Sequence, residues 1–312
     1  MTHYTIGVDI SKALLDAHRL PDSAAGQFSN DKAGFRDLIR WVDALDVERI
    51  VYEPTGAFHR SFEEALSAAG LPIAKVNPLQ ARRFAQACGV RAKTDKADAR
   101  SLATMGQALQ PQLYTVPSGK LRDLKELQIV RQALIKDRTA AKNRQKSLSL
   151  PLSRKQNTRR LRQIERDLKA VEEAMLKLVA DDTAMVRTFD IVCSIPGIST
   201  ITALILLAEM PELGTLQSKQ IAAMAGLAPF NRDSGQWRGK RFIGSGRKHL
   251  RQALYMPALV ATRFNADLKA KYTQLIDAGK PAKVALTVIM RKLIILANAL
   301  VKADRKWADK LA

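Results

Sequence analysis

The first third of the chain alternates short apolar runs with amphipathic segments. Four apolar runs predict β-strands: YTIGVDIS, LLDAHRLP, RIVYEPTG and LPIAKVNP. Between them, KAGFRDLIRWVDAL and FHRSFEEALSAAG have the spacing of a helix face. Two early strands follow Asp9 before any helix begins, so we expect a sheet that starts with antiparallel strands and finishes with parallel ones. The pattern predicts an α/β domain over residues 1–118.

The middle of the chain predicts long, charged helices over residues 119–182. Apolar residues recur there at alternating spacings of three and four, which is the seam of a coiled coil; they are Leu161, Ile164, Leu168, Val171, Met175 and Leu178. Pro151 would break the helix before this seam, so an antiparallel hairpin of two helices is expected. Residues 120–180 hold 17 Lys and Arg against 7 Asp and Glu. This basic arm is interpreted as a contact for nucleic acid or a second subunit, with a solvated spacer as the alternative.

The last region, residues 183–312, is predicted to be mainly α-helical. Its opening segment, SIPGISTITALILLAEM, resembles half of a helix-hairpin-helix element, which offers backbone N–H groups to a phosphate. Ser199 stands where a second glycine is usual, and a plain turn before a core helix is an equal reading. The apolar stretch 284–301 carries Arg291 and Lys292 in its middle, which predicts a packed helix and not a membrane span.

Four carboxylates lie at the ends of predicted strands or at the start of a predicted helix. Asp9 and Glu53 end apolar runs, and Asp95 and Asp98 lie three apart at the start of a helical segment, KADARSLATMGQAL. A ribonuclease-H-like fold places its metal-binding acids at such strand ends and on a late helix. Converging carboxylates repel one another, so they usually surround a cation, and oxygen ligands suit Mg²⁺ or Mn²⁺. We therefore expect a divalent-metal site for phosphodiester chemistry, although any one of these acids alone would be an ordinary surface charge.

The charge balance indicates a polyanionic partner. The chain has 51 Lys and Arg against 30 Asp and Glu, a net charge of +21. Nucleic acid is the favoured partner, because no lipidation signal or amphipathic anchor is evident. Cys88 and Cys193 are too few for a zinc site or a disulfide framework, and we expect both to be buried thiols in a reducing cytosol. The N-terminus shows no secretion signal, so a cytoplasmic location is expected.

Residues 228–255, APFNRDSGQWRGKRFIGSGRKHLRQALY, combine basic, aromatic and glycine residues. Gly244, Ser245 and Gly246 are predicted to form a flexible loop before a helix that begins with cations, a setting that favours a phosphate. Six basic residues are candidates for contacts with nucleic acid: Arg238, Lys240, Arg241, Arg247, Lys248 and Arg251. Ser234 precedes a glycine within this block. From spacing alone it is better explained as ordinary turn chemistry than as a nucleophile.

Taken together, the motifs GVDISK, YEPTG, KTDKADA, IPGI and the basic block resemble the DEDD transposases of one insertion-sequence family, in the same order and over nearly the whole chain. Members are recombinases guided by an element-encoded bridge RNA, so the resemblance implies a prokaryotic cytoplasmic protein associated with the nucleoid. They pair a RuvC-like N-terminal domain with a serine-containing transposase domain and assemble as tetramers of two dimers. The resemblance implies that Asp9, Glu53, Asp95 and Asp98 bind metal, and that Ser234 forms a covalent phosphoserine with DNA. Arg238 and Arg241 would face the scissile phosphate.

Two other functions stay open at this point. A RuvC-like endonuclease would cut branched DNA with metal-activated water, and Ser234 would then be structural. A non-catalytic nucleic-acid-binding protein would keep the basic surface and carry the acids as remnants. A detergent-resistant protein–DNA adduct distinguishes the recombinase from both alternatives.

Overall fold

The computed structural model describes residues 2–54, 56–90, 94–231, 233–239 and 241–308. These fall into two compact units, Met1–Val116 and Pro117–Ala312. The basic arm belongs to the second unit together with the C-terminal helices. The three-part division at residues 118 and 182 stays a prediction.

The N-terminal unit is built on a mixed five-stranded sheet. Its strands are β1 (His3–Ile10), β2 (Leu14–Leu20), β3 (Ala25–Ser29), β4 (Asp46–Tyr52) and β5 (Ile73–Lys75). They lie in the order β3-β2-β1-β4-β5. The first three strands are antiparallel, whereas β4 is parallel to both β1 and β5. This confirms the predicted change of direction and gives the strand arrangement expected of a ribonuclease-H-like sheet.

Helices cover both faces of this sheet. They are α1 (Lys32–Val42), α2 (Arg60–Ala68), α3 (Pro78–Ala87) and α4 (Asp95–Leu109). Side chains of β1 alternate between the faces, so Ile6, Val8 and Ile10 pack with the buried residues of α1 and α2. Gly7 faces the other way, against α4, where an added Cβ would lie 2.0 Å from the carbonyl oxygen of Ala99. The missing side chain therefore lets α4 lie directly on β1.

The arm is a hairpin of two long helices, α5 (Gly119–Ser147) and α6 (Pro151–Ala180), as predicted from the break at Pro151. Buried Asn157 donates to the carbonyl oxygen of Ala141, and Arg131 pairs with Glu172 at 2.7 Å. Of the predicted seam, Ile164, Leu168 and Met175 are buried. The supercoil of a true coiled coil remains a prediction.

The rest of the second unit is helical around one core. Its helices are α7 (Thr183–Cys193), α8 (Thr200–Glu209), α9 (Ser218–Met224), α10 (Lys248–Ala253), α11 (Tyr255–Phe264), α12 (Ala266–Asp277) and α13 (Ala282–Lys302). Helix α13 is long and apolar enough to cross a membrane by length and composition alone. Half of its apolar stretch is buried within the unit, and one such helix is weak evidence for a span. Its buried residues pack with those of the surrounding helices, as a core helix does.

The Pro196–Gly197 turn before α8 is packed against α11. Gly197 has φ +104°, and an added Cβ would lie 2.8 Å from the carbonyl oxygen of Pro257. Ser199 caps α8 by accepting a hydrogen bond from the backbone N–H of Thr202. These contacts explain the Pro-Gly sequence by core packing. A helix-hairpin-helix role for the turn stays a prediction.

The expectation of two buried thiols was wrong for one cysteine. Cys88 follows α3 and is exposed, because the helix ends there at the surface of the unit. Cys193 is half-buried beside the core of the second unit, and burial raises its pKa to about 11.

Candidate active site

The first candidate site is the carboxylate cluster, defined as Asp9, Glu53, Asp95 and Asp98. Asp9 is the penultimate residue of β1, on the same face as Gly7 and therefore on the α4 side of the sheet. In β4, Val51 packs against buried residues of α4, and Glu53 follows two positions later, after the strand ends. Since β1 and β4 are adjacent and parallel, both carboxylates emerge at one edge of the sheet.

The other two acids come from the first turn of α4. Thr94 caps this helix by accepting from the N–H of Ala97, and Asp95 and Asp98 follow in the first turn. Residues three apart share a helix face, and negative charge at a helix N-terminus is favourable. The close approach of α4 to Gly7 holds this first turn beside the end of β1.

The other three acids of the cluster act electrostatically on Asp9. The pKa of Asp9 is raised from 3.8 to about 6, first by burial and then by Asp95, Asp98 and Glu53, with a smaller contribution from Asp16. Repulsion of this kind destabilises the ionised cluster, and a bound cation would relieve it. The predicted set is thus brought within electrostatic range at one place.

The donor chemistry of the cluster fits a divalent cation, because carboxylate oxygens suit Mg²⁺ and Mn²⁺. Among the residues that the structure describes, however, no three His, Cys, Asp or Glu side chains already form a group able to hold a metal ion. Glu53 and Asp98 each have another interaction.

A buried polar group anchors the strand end that carries Glu53. The preceding residue, Tyr52, is fully buried and donates its hydroxyl to Glu63 at 2.5 Å. Lys75 at the end of β5 pairs with the same carboxylate at 2.7 Å. Burial, followed by the hydrogen bond to Glu63, raises the pKa of Tyr52 above its ordinary value. The network fixes the ends of β4 and β5 on the side opposite α4.

Sequence reasoning missed a fifth carboxylate, Asp16 of β2. It lies directly across from Asp9 in the antiparallel pairing, is only 5% exposed, and accepts a hydrogen bond from the Gln27 amide at 2.9 Å. Directly opposed residues share a face of the sheet. The pairing register of β1 and β2, which brings the two acids together, has no signal in the local sequence.

The second candidate site is the serine hairpin, residues 229–243. Its base is β6 (Pro229–Phe230) paired with β9 (Phe242–Ile243), and its tip is β7 (Asp233–Ser234) paired with β8 (Trp237–Arg238). Gly235, at φ +56°, supplies the left-handed conformation that a two-residue hairpin turn needs. Ser234 is exposed immediately before this turn.

The tip of the hairpin has two different faces. Ser234 is opposite Trp237, while Asp233 is opposite Arg238, so each pair occupies its own face. A cavity of about 560 Å³ opens on the Asp233 side and is lined by Asp233, Gly235, Arg238, Gly239 and Arg241. Because Asp233 points away from Ser234, it is poorly placed to act as the base for the serine hydroxyl.

Five of the six candidate nucleic-acid contacts lie in the part of the chain that the structure describes, and they divide into exposed residues and residues that bind the protein. Arg238, Arg241 and Lys248 are exposed, and within the described ranges neither Arg238 nor Arg241 has an ion pair. Lys240 lies outside the described residues. The expected nucleic-acid surface therefore rests on Arg238, Arg241 and Lys248.

The remaining two arginines bind the protein itself. Arg247 makes a bidentate pair with Glu212, with N–O distances of 2.7 and 2.6 Å, and donates to the carbonyl oxygen of Glu209. Burial favours a higher pKa for Glu212, but Arg247 outweighs this and holds it below its ordinary value. Arg251 donates to the carbonyl oxygens of Ser245 and Gly226. Their guanidinium groups hold the segment after the hairpin in place.

Gly246, after the hairpin, packs closely against another segment, where the sequence predicted a flexible loop. A Cβ on Gly246 would lie 2.4 Å from the backbone nitrogen of Gly226, which follows α9. The N–H of Arg247 also bonds to the carbonyl oxygen of Met224. The loop before α10 is thus anchored by close backbone contact.

Two family models match separate parts of the chain. Residues 6–149 match a transposase model, the DEDD transposase of the IS110 type, and residues 190–273 match "Transposase IS116/IS110/IS902 family". These matches define a transposase or recombinase, a class of DNA-modifying enzyme. More particularly, the chain carries two transposase domains of the IS110 type.

Full-length relatives agree with this class. The chain is 29% identical to the pilin gene-inverting protein of Moraxella bovis over 100% of this chain and 99% of the relative. The pilin gene-inverting protein of Moraxella lacunata matches with the same identity and coverage. Among solved structures, T. thermophilus RuvC in complex with a Holliday junction substrate aligns with 36% of this chain and all of its own, at 10% identity and a TM-score of 0.29.

Proposed function

We propose that the protein exchanges DNA strands through a transient covalent bond between Ser234 and a DNA phosphate, guided by an RNA that its insertion element encodes. The transposase domains support the reaction class. The observation that carries the nucleophile is the position of Ser234, exposed beside the turn of a hairpin that has two exposed arginines near its tip. A phosphate of a long polymer can approach a hydroxyl in that position.

The proposed strand exchange conserves the number of phosphoester bonds. The Oγ of Ser234 attacks phosphorus and loses its proton, the bond to the leaving DNA oxygen breaks, and that oxygen takes up a proton. A hydroxyl of another DNA strand then attacks the same phosphorus, the bond to Oγ breaks, and Ser234 regains its proton. Each phosphodiester bond that is broken is replaced, so the exchange needs no nucleotide triphosphate.

Each part of the chain has an assigned role. The carboxylate cluster would hold Mg²⁺ or Mn²⁺, which when bound supplies positive charge for the transferring phosphoryl group. Arg238 and Arg241 offset negative charge on the DNA backbone near the hairpin. The reaction requires that the carboxylate cluster and Ser234 act on the same phosphodiester, either within one chain or across subunits of the proposed dimer or tetramer.

A guide RNA and an oligomer complete the proposal. Support comes from the resemblance to bridge-RNA-guided recombinases and from the net charge of +21, of which the arm holds a large share. Sequencing RNA that copurifies with the protein tests the guide, and the mass of the purified complex tests the assembly. One defined RNA that pairs with both element and target DNA is expected, whereas a random mixture of cellular RNA would contradict guidance.

An endonuclease that uses activated water is the second candidate function. The observation that favours it is the carboxylate cluster, because four acids in one unit could serve hydrolysis without Ser234. In that case the products are free strand ends, and the serine hairpin only binds DNA.

Ser234→Ala separates the two functions. Labelled DNA carrying the element's end is incubated with protein and Mg²⁺, and the products are separated in detergent. Strand exchange by the proposed route disappears in Ser234→Ala and persists in Ser245→Ala, a matched control at a neighbouring exposed serine. Undiminished cleavage to free ends by Ser234→Ala would establish the endonuclease instead.

A further inference from the structure

We propose that Trp237 is a base-stacking residue that engages the nucleobase beside the phosphate attacked by Ser234. This inference rests on the proposed function and names a contact to substrate that the reaction chemistry alone does not require. The indole would hold one base out of its stack, so that the adjoining phosphate is presented to the serine hydroxyl.

The register of the hairpin places the two side chains together. Ser234 and Trp237 are directly opposed in the β7–β8 pair and leave the ribbon on the same face. Opposed residues have Cβ atoms about 5 Å apart. The arginine cavity opens on the other face, where Asp233 and Arg238 are paired. The residue directly across from Ser234, on the same face of the tip, is therefore aromatic and not a cation.

The exposed indole of Trp237 is accessible to a partner. Trp237 is 61% exposed, whereas Trp41 and Trp307 are partly buried against the cores of their units. Leaving so large an apolar surface in water forgoes a stabilisation of about 2 kcal/mol or more. At the base of the same hairpin, Phe230 and Phe242 stack on each other with ring centroids 6.2 Å apart. Trp237 at the tip is, in contrast, more exposed than either of these rings.

The surrounding charge identifies the partner as nucleic acid. Arg238 and Arg241 flank the tip and are exposed, which suits a phosphate backbone and opposes the approach of a second copy of this strongly basic chain. Every nucleobase has a π-face, so an aromatic ring can hold a base without reading the sequence. Insertion of apolar side chains between base steps is a known means of unstacking DNA.

Fluorescence of the full-length protein tests the inference. A 20-nucleotide oligo-dT is titrated at fixed salt while tryptophan emission and anisotropy of the labelled DNA are recorded together. We expect the DNA to quench emission of the wild type and to leave emission of Trp237→Phe unquenched at saturation. Trp237→Ala should bind about 5- to 100-fold more weakly, and Trp237→Phe close to wild type, because stacking on one base contributes on that scale.

Two control variants distinguish stacking on Trp237 from the loss of any exposed ring and from the covalent reaction at Ser234. Phe264→Ala removes a ring that is even more exposed, at 72%, at the end of α11, and should leave affinity unchanged. Ser234→Ala should keep the quenching in full, so stacking is measurable even where no covalent product forms. On element DNA, a mismatch at the cleaved step should restore the reaction of Trp237→Ala, because the base is already unstacked.

The inference is overturned if Trp237→Ala binds oligo-dT with wild-type affinity, or if saturating DNA leaves the emission of the wild-type protein unquenched. Loss of self-association in Trp237→Ala with unchanged DNA affinity also overturns it, since the indole would then cover a second copy of the chain.

Discussion

The two candidate sites are built in opposite ways. The carboxylate cluster stands on the ends of central strands and on the first turn of a helix that lies directly on β1. The serine hairpin consists of strands two residues long, almost entirely exposed, and a Cβ on its turn residue Gly235 would touch nothing within 4 Å. Rigid elements suit ligands that must keep mutual distances, whereas an exposed ribbon suits a group that must reach a polymer.

Neutralising one acid should have the largest effect of any change considered. Asp9→Asn keeps the shape of the side chain but removes the central charge of the cluster, so strand exchange should fall by about 10³-fold or more. Rates are measured with labelled element DNA in Mg²⁺. Asp22→Asn, on the exposed turn after β2, provides the control and should react as the wild type does. An active Asp9→Asn protein would exclude Asp9 as a metal ligand.

Adding one methyl group should distinguish the rigid site from the exposed one. Gly7→Ala places a Cβ against the backbone of α4, so we expect the free energy of unfolding of the N-terminal unit to fall by about 2–3 kcal/mol. Gly235→Ala meets no neighbour and strains only a left-handed turn, at about 1 kcal/mol confined to the hairpin. Denaturant unfolding measures both, and equal losses would contradict the comparison.

Mutation of a protein-bound arginine and mutation of an exposed arginine should have different effects on stability and on DNA binding. Arg247→Met leaves half-buried Glu212 without its partner and should lower stability by about 1–2 kcal/mol after allowance for solvent screening. Arg241→Gln should leave stability unchanged and reduce the slope of log affinity against log salt by about one. A reduced salt slope in Arg247→Met would instead indicate that this arginine binds DNA.

The pH dependence of stability should reveal the strain in the carboxylate cluster. The pKa of Asp9 is about 6 in the folded chain and 3.8 ordinarily, so the folded state binds more protons between these values. The free energy of unfolding should therefore fall as pH rises from about 4 to 6, by about 1–2 kcal/mol relative to Asp9→Asn. Saturating Mg²⁺ should remove most of this difference. Identical pH profiles for the wild type and Asp9→Asn would show that the pKa of Asp9 is not raised in the folded chain.

Much of the N-terminal site could be predicted from the sequence because its positions depend on local periodicity. The apolar runs before Asp9 and Glu53 form β1 and β4, and Asp95 and Asp98 lie in the first turn of α4. Asp16 escaped prediction because only the β1–β2 register brings it opposite Asp9.

The second unit was less predictable where elements are short or contacts are distant in sequence. Strands of two residues have no period to detect, so the sequence predicted a turn at Ser234 but not the paired strands around it. The partner of Arg247 is Glu212, on a different segment, and no local pattern separates this arginine from the exposed Arg238. The exposure of Cys88 likewise depends on where α3 ends in the fold.

The most direct test of the central claim is mass spectrometry of the protein–DNA adduct. Protein, Mg²⁺ and element DNA are mixed, denatured, and digested with nuclease and protease before peptides are sequenced. The account predicts a nucleotide attached through phosphate to the peptide that contains Ser234, and its absence in Asp9→Ala. Cleaved DNA with no attached peptide, or a nucleotide attached to another residue, would contradict it.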